Sequence, residues 1–164
     1  MSKVLKISST VLIAIVVILM ILLVGVRLFG VEPYTILSGS MEPEYPTGSL
    51  IYVKEAAPEA LLTGDVITFH MAGSQTVATH RIIEIVEDGN SLAFRTKGDA
   101  NEEADHNLVD AARVIGTPVF SIPGLGVLAA FLQTAAGRIV SILTIGFIVA
   151  LLFLSEYLRG RENL

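Results

Sequence analysis

From Ile7 to Val26 the chain reads ISSTVLIAIVVILMILLVGV, with no charged side chain anywhere in the run. At about 1.5 Å of rise per residue, a helix of about 20 residues covers a hydrocarbon core of about 30 Å. A segment of this kind has too little partner surface in a small soluble domain, so it constrains the architecture before any motif is read. A second uncharged run, Ile139 to Leu154, reads IVSILTIGFIVALLFL and extends to Leu158 if Glu156 sits at an interface. With 52% hydrophobic residues, 16% charged residues and a mean hydropathy of +0.69, the chain is too apolar for an ordinary water-soluble domain.

The expected organisation is a cytoplasmic tail at 1–6, a transmembrane helix at 7–28 and an extracytoplasmic domain at 29–121. An apolar interfacial or connecting segment at 122–137, a second transmembrane helix at 138–158 and a cytoplasmic tail at 159–164 complete it. Lys3 and Lys6 would also suit the leader of a cleaved secretory signal. The apolar run, however, exceeds the about 7–15 residues of a signal core, and no A-x-A-like site follows it before Ser40, so an anchor is expected. Lys3 and Lys6 precede the first run, and Arg159 and Arg161 follow the second. Both termini are therefore expected in the cytoplasm, with the middle of the chain on the outer face of the cell membrane. Arg27 and Arg138, at the opposite mouths, count against that orientation without overturning it.

Charge divides along the same lines. Residues 30–137 hold 14 Asp and Glu against 5 Lys and Arg, a net of −9, and the remainder carries +4, for the total of −5. A domain this acidic repels phosphate backbones, so nucleic acid is not an expected partner. The chain has no cysteine, which excludes disulfides, thiol nucleophiles and thiolate metal sites.

Within the central domain the pattern is mainly β. Ser49 to Val53 and Val66 to Phe69 are short runs rich in β-branched and aromatic residues, each opened by a glycine turn at Thr47-Gly48 or Gly64-Asp65. His80 to Val86 and Ser91 to Lys97 flank Asp88-Gly89, a strong hairpin signal. A loop at Asp88-Gly89 sets His80 opposite Lys97; a loop at Gly89-Asn90 sets it opposite Asp99. Both registers bring His80 to the start of the Gly98-Asp99 loop. A third strand is expected from Arg113 to Phe120, broken by Pro118.

The chemistry follows from residue types. Pro43 and Pro46 exclude a helix interior around Ser38-Gly39-Ser40-Met41-Glu42-Pro43. A serine hydroxyl is a poor nucleophile unless a base takes its proton, and histidine suits that task. The hairpin sets His80 beside Asp99 and Asp105, either of which can accept the second imidazole N–H. His70 and His106 are competing bases on pattern alone. Gly39 and Gly48 permit turns that would aim amide groups at a developing oxyanion, and Ser38 offers a hydroxyl. Asp99, Asn101, Glu103, Asn107 and Asp110 imitate a calcium loop, but Ala104 stands where such a loop needs glycine, and strands rather than helices precede it. No metal and no cofactor are expected.

In order along the chain, SGSMEP at 38–43, GDVITF at 64–69, THRI at 79–82 and KGDAN at 97–101 followed by Asp105 resemble type I signal peptidase. The resemblance covers roughly residues 5–120. It is to the branch of archaea, some Gram-positive bacteria and the endoplasmic reticulum, because Thr79-His80-Arg81-Ile82 carries histidine where the usual bacterial enzymes carry a lysine base. The same position removes Lys54 and Lys97 as bases.

What the resemblance implies is a coiled antiparallel β domain standing on the membrane, flanked by N- and C-terminal transmembrane helices. Ser40 resembles the nucleophile, His80 the general base, Asp105 its acidic partner and Asp99 a second carboxylate whose part is structural or catalytic. Ser38 and the Ser40 amide resemble the oxyanion donors. Implied partners are preproteins bearing signal peptides, the lipid bilayer and the secretion machinery. Another membrane-tethered serine protease of the same superfamily and a non-catalytic membrane-anchored binding module are the competing readings.

Overall fold

The computed structural model describes residues 3–23, 25–88 and 91–162; these fall into two compact units, one within 26–128 and the other within 1–25 and 129–164. The first unit is a seven-stranded sheet. Its strands are β1 (Val31–Thr35), β2 (Leu50–Lys54), β3 (Val66–His70), β4 (Val77–Asp88), β5 (Ser91–Lys97), β6 (Val109–Asp110) and β7 (Val114–Ile122), in the spatial order β1-β2-β7-β3-β4-β5-β6. Every pairing is antiparallel, as the mainly β pattern predicts.

Leu50 to Val53 and Val66 to Phe69 are buried without alternation, so both faces of β2 and β3 are covered. Leu61, Ile67, Phe69, Ile82, Phe94 and Val109 form the larger core cluster; Ile36, Ile51 and Val53 form a second. The strand at Pro118 is not broken. It bulges there, pairing Tyr52 with Phe120 but Val53 with Pro118, and runs on to Ile122. A proline has no N–H for the ladder, and a bulge absorbs the gap. The bend lets one strand pair with β3 through Val114 and Gly116 and with β2 from Thr117 onward. At Gly116 a Cβ would lie 2.0 Å from the Lys54 carbonyl oxygen, so only glycine permits that crossing.

The β4–β5 hairpin follows the second of the two registers near its turn, with Asp88 opposite Ser91 and Glu84 opposite Arg95. Of its turn residues, Gly89 and Asn90 lie outside the described residues. A shift between Ile82 and Glu84 then sets Arg81 opposite Lys97, which places His80 at the mouth of the loop beginning at Gly98.

The other unit is helical, with α1 (Lys3–Leu23) and α3 (Ala135–Glu162). Between the sheet and α3 in sequence lies α2 (Leu125–Gln133), inside the segment read as a connecting or interfacial stretch. Gly25–Phe29 form a 3-10 turn rather than a continuation of α1. Among the described residues no single helix is long and apolar enough to cross a membrane; α2 and α3 to Ala150 suffice together but are bent by 94°. Apolar side chains nevertheless stand exposed along both long helices, among them Val11, Ile15 and Ile18 of α1 and Ile142, Leu143 and Phe147 of α3.

Candidate active site

Three segments of the β unit converge on one point. The first is the turn at 38–45, pinned by the buried Met41 and by backbone bonds from Glu42 N–H to the Gly39 carbonyl and from Tyr45 N–H to the Met41 carbonyl. The Glu42 carboxylate braces it further, accepting the Thr47 hydroxyl at 3.0 Å and its N–H at 3.3 Å. The second is β4, held against β3 with His80 opposite Ile67. The third is the loop after β5, which is tied to the first by the Ala100 N–H donating to the Ser40 carbonyl at 2.9 Å. Gly98 makes that approach possible: a Cβ there would lie 2.6 Å from the Ser40 oxygen and 2.8 Å from the Asn101 amide nitrogen.

At the convergence, His80 Nε2 is 3.2 Å from Ser40 Oγ and His80 Nδ1 is 2.6 Å from Asp105 Oδ2. An ionised carboxylate only accepts, so Nδ1 carries the proton and Nε2 presents its lone pair to the serine hydroxyl. The imidazole is 15% exposed and the carboxylate 25%, and the Phe69 ring meets the imidazole edge at a centroid distance of 6.3 Å. Limited water access strengthens each of these bonds. This arrangement can draw a proton from Ser40 and stabilise the imidazolium that results.

Ser38 Oγ stands 3.2 Å from Ser40 Oγ, within hydrogen-bonding reach of it. The N–H of Gly48, by contrast, is spent on the Ile36 carbonyl at 2.8 Å and is not free to serve an oxyanion. His70 and His106 are exposed, and no hydrogen bond joins either ring to Ser40 among the described residues. Among the described residues no group of three or more His, Asp and Glu side chains is set to hold a metal ion.

Asp99 and Asp105 part company. Asp99 turns to Arg81, which donates from Nε to Oδ1 at 2.8 Å and from Nη2 to Oδ2 at 2.6 Å. The same guanidinium reaches Glu44 of the serine turn at 2.5 Å and the Gly64 carbonyl at 2.8 Å. Hydrogen bonding to Asp99 above all holds the Arg81 pKa above its ordinary value, so the group is a permanent cation clamping three loops. Two partners of this site were not singled out from sequence: Arg81 in this clamping role, and Thr96, whose hydroxyl donates to Asp105 Oδ2 at 2.6 Å. Strand alternation is the signal for the first, since neighbours on β4 face opposite sides.

A cleft of about 410 Å³ opens beside Ser40, lined by Ile36, Leu37 and Ser38 on one side and Val77, Ala78 and Thr79 on the other. Pairing of β4 with β5 begins only at Arg81, so among the described residues Val77 to His80 have a ladder partner on the β3 side alone. An extended peptide can lie along such an edge.

Residues 8–118 match the family described as signal peptidase, peptidase S26. Signal peptidase I W of Bacillus subtilis (strain 168) is 44% identical over 108 residues, 61% of this chain and 56% of that protein. The human signal peptidase complex catalytic subunit SEC11C is 35% identical over 74 residues, 44% of this chain and 38% of that protein. In each case the chain spans well under two thirds of the relative's length.

Proposed function

As the chain belongs to the signal peptidase family, peptidase S26, we propose that it is a membrane-bound serine endopeptidase that removes N-terminal signal peptides from secreted preproteins. The observation that carries the proposal is the unbroken path from Ser40 Oγ through both nitrogens of His80 to Asp105. Ser40 attacks the scissile carbonyl as His80 Nε2 takes its proton. The oxyanion that forms is met by the Ser38 hydroxyl and the Ser40 N–H. Collapse expels the mature protein's amine with the proton from His80, leaving an acyl-enzyme on Ser40, and a water activated by the same imidazole releases the signal peptide. Asp105 holds the imidazole tautomer throughout.

The substrate lies extended in the cleft between Ile36–Ser38 and Val77–Thr79, with small residues at its −1 and −3 positions as in the family. The exposed apolar side chains of α1 and α3 support assignment of the expected spans, 7–28 and 138–158, to the bilayer, and Lys3, Lys6, Arg159 and Arg161 support cytoplasmic termini with the β unit outside. A signal peptide's apolar core lies in the same bilayer, so tethering raises the effective concentration of its cleavage site. The human relative is named as a subunit of a signal peptidase complex, and association with secretion machinery is the corresponding expectation here.

The test is to incubate membranes carrying the full chain with a preprotein and read the products by intact-mass spectrometry. A single new N-terminus just beyond the signal's apolar core is expected; an uncut preprotein, or cuts scattered through the mature part, would exclude the proposal. Gly98→Ala, which forces the Ser40 carbonyl to move, is expected to lower kcat by about 10²-fold, since displacements of about 1 Å cost that much. Progress curves at saturating substrate check it.

A further inference from the structure

We propose that Thr96 is a positioning residue of this site: its hydroxyl fixes Asp105 on the one oxygen that meets His80. The inference rests on the endopeptidase reading above. Asp105 belongs to a loop, 98–108, that has neither helix nor strand to orient it. Besides His80 itself, the residue that holds it is Thr96. The Asp105 N–H donates to the Thr96 carbonyl at 2.8 Å, and Thr96 Oγ1 donates to Asp105 Oδ2 at 2.6 Å. Main chain and side chain of Asp105 are thus both fastened to the same point of β5.

That point is rigid. Thr96 is 0% exposed, lies opposite Ile82 in the ladder and is β-branched, so its χ1 is confined. Ile82 shares a sheet face with His80 two residues earlier, which sets the Thr96 side chain on that face, diagonal to the imidazole. Both donors, Thr96 Oγ1 and His80 Nδ1, converge on Oδ2. With one lone pair of Oδ2 taken by a fixed hydroxyl, the other is aimed at the imidazole. Without the hydroxyl, a carboxylate 25% exposed is free to turn towards water.

The test uses the full chain in membranes and the preprotein assay. Thr96→Val keeps the shape and removes the hydroxyl; kcat is expected to fall about tenfold, the scale of one hydrogen bond to a charged group, with KM unchanged. Thr96→Ser, which restores the hydroxyl, is expected to recover kcat to within about threefold of wild type. In an Asp105→Ala background Thr96→Val should cost nothing further, because the residue acts through Asp105. Thr96→Ala supplies a second hydroxyl-free variant should valine unfold the sheet. Wild-type kcat in Thr96→Val, a serine variant as slow as the valine one, or a loss that persists without Asp105 would overturn the proposal. Failure of the wild-type chain itself to cut the preprotein would instead bring down the endopeptidase reading.

Discussion

Ser40→Ala and His80→Ala are each expected to lower kcat for preprotein cleavage by about 10⁴- to 10⁶-fold, and the double variant to be no slower than either single one. The reason is geometric. The serine hydroxyl and Nε2 are joined by one 3.2 Å hydrogen bond, so neither group has a catalytic part to play without the other. Removing the hydroxyl leaves the turn intact, because its fastenings run through Met41, the Glu42 carboxylate and the Ser40 carbonyl rather than through Oγ. Removing the imidazole leaves Asp105 still held by Thr96. Both variants should therefore insert and fold as wild type does, which far-ultraviolet circular dichroism in detergent and protease resistance of the β unit would check. Cleavage retained in either variant, at more than about one part in a hundred, would refute the assigned pair.

The parts of this site that a sequence displays are the ones fixed by local rules. The β4–β5 hairpin is legible because β-rich runs flank a turn dipeptide, and that alone carries His80 to the loop bearing both candidate carboxylates. The bulge at Ile83 is not legible, since an isoleucine there looks like any other strand residue; it moves the register by one and sets the final position of His80. The strand continuing past Pro118 was hidden for the opposite reason, a residue that normally ends strands being absorbed by a bulge. The contact between Ser40 and His80 spans 40 residues and depends on the missing Cβ of Gly98, a packing fact no pattern shows. Strand alternation sets Arg81 and His80 on opposite faces, but which of Asp99 and Asp105 goes to which face is decided by the path of the 98–108 loop, which has no periodic pattern to read.

Asp105→Asn is expected to lower kcat by about 10³- to 10⁴-fold with little change in KM, whereas Asp99→Asn should act mainly on stability. Asp105 Oδ2 receives two donors, His80 Nδ1–H and the Thr96 hydroxyl, and an amide cannot serve both as a charged carboxylate does. If its NH₂ faces them, the imidazole must present Nδ1 as an acceptor, which moves the ring proton to Nε2 and blocks proton removal from Ser40. If its oxygen faces them, the tautomer survives, but the imidazolium formed in the transition state loses its counter-charge. Either orientation leaves substrate binding in the cleft untouched, and so the loss falls on kcat. Asp99 lies on the other side of the strand, bonded to Arg81, with both side chains partly exposed. Its loss weakens the clamp between the serine turn and the acid loop by about 1 kcal/mol, the scale of a partly exposed ion pair. Steady-state kinetics alongside thermal unfolding of the two variants separates the roles: equal loss of kcat in both, with unfolding midpoints unchanged, would mean that Asp99 and not Asp105 alone serves the imidazole.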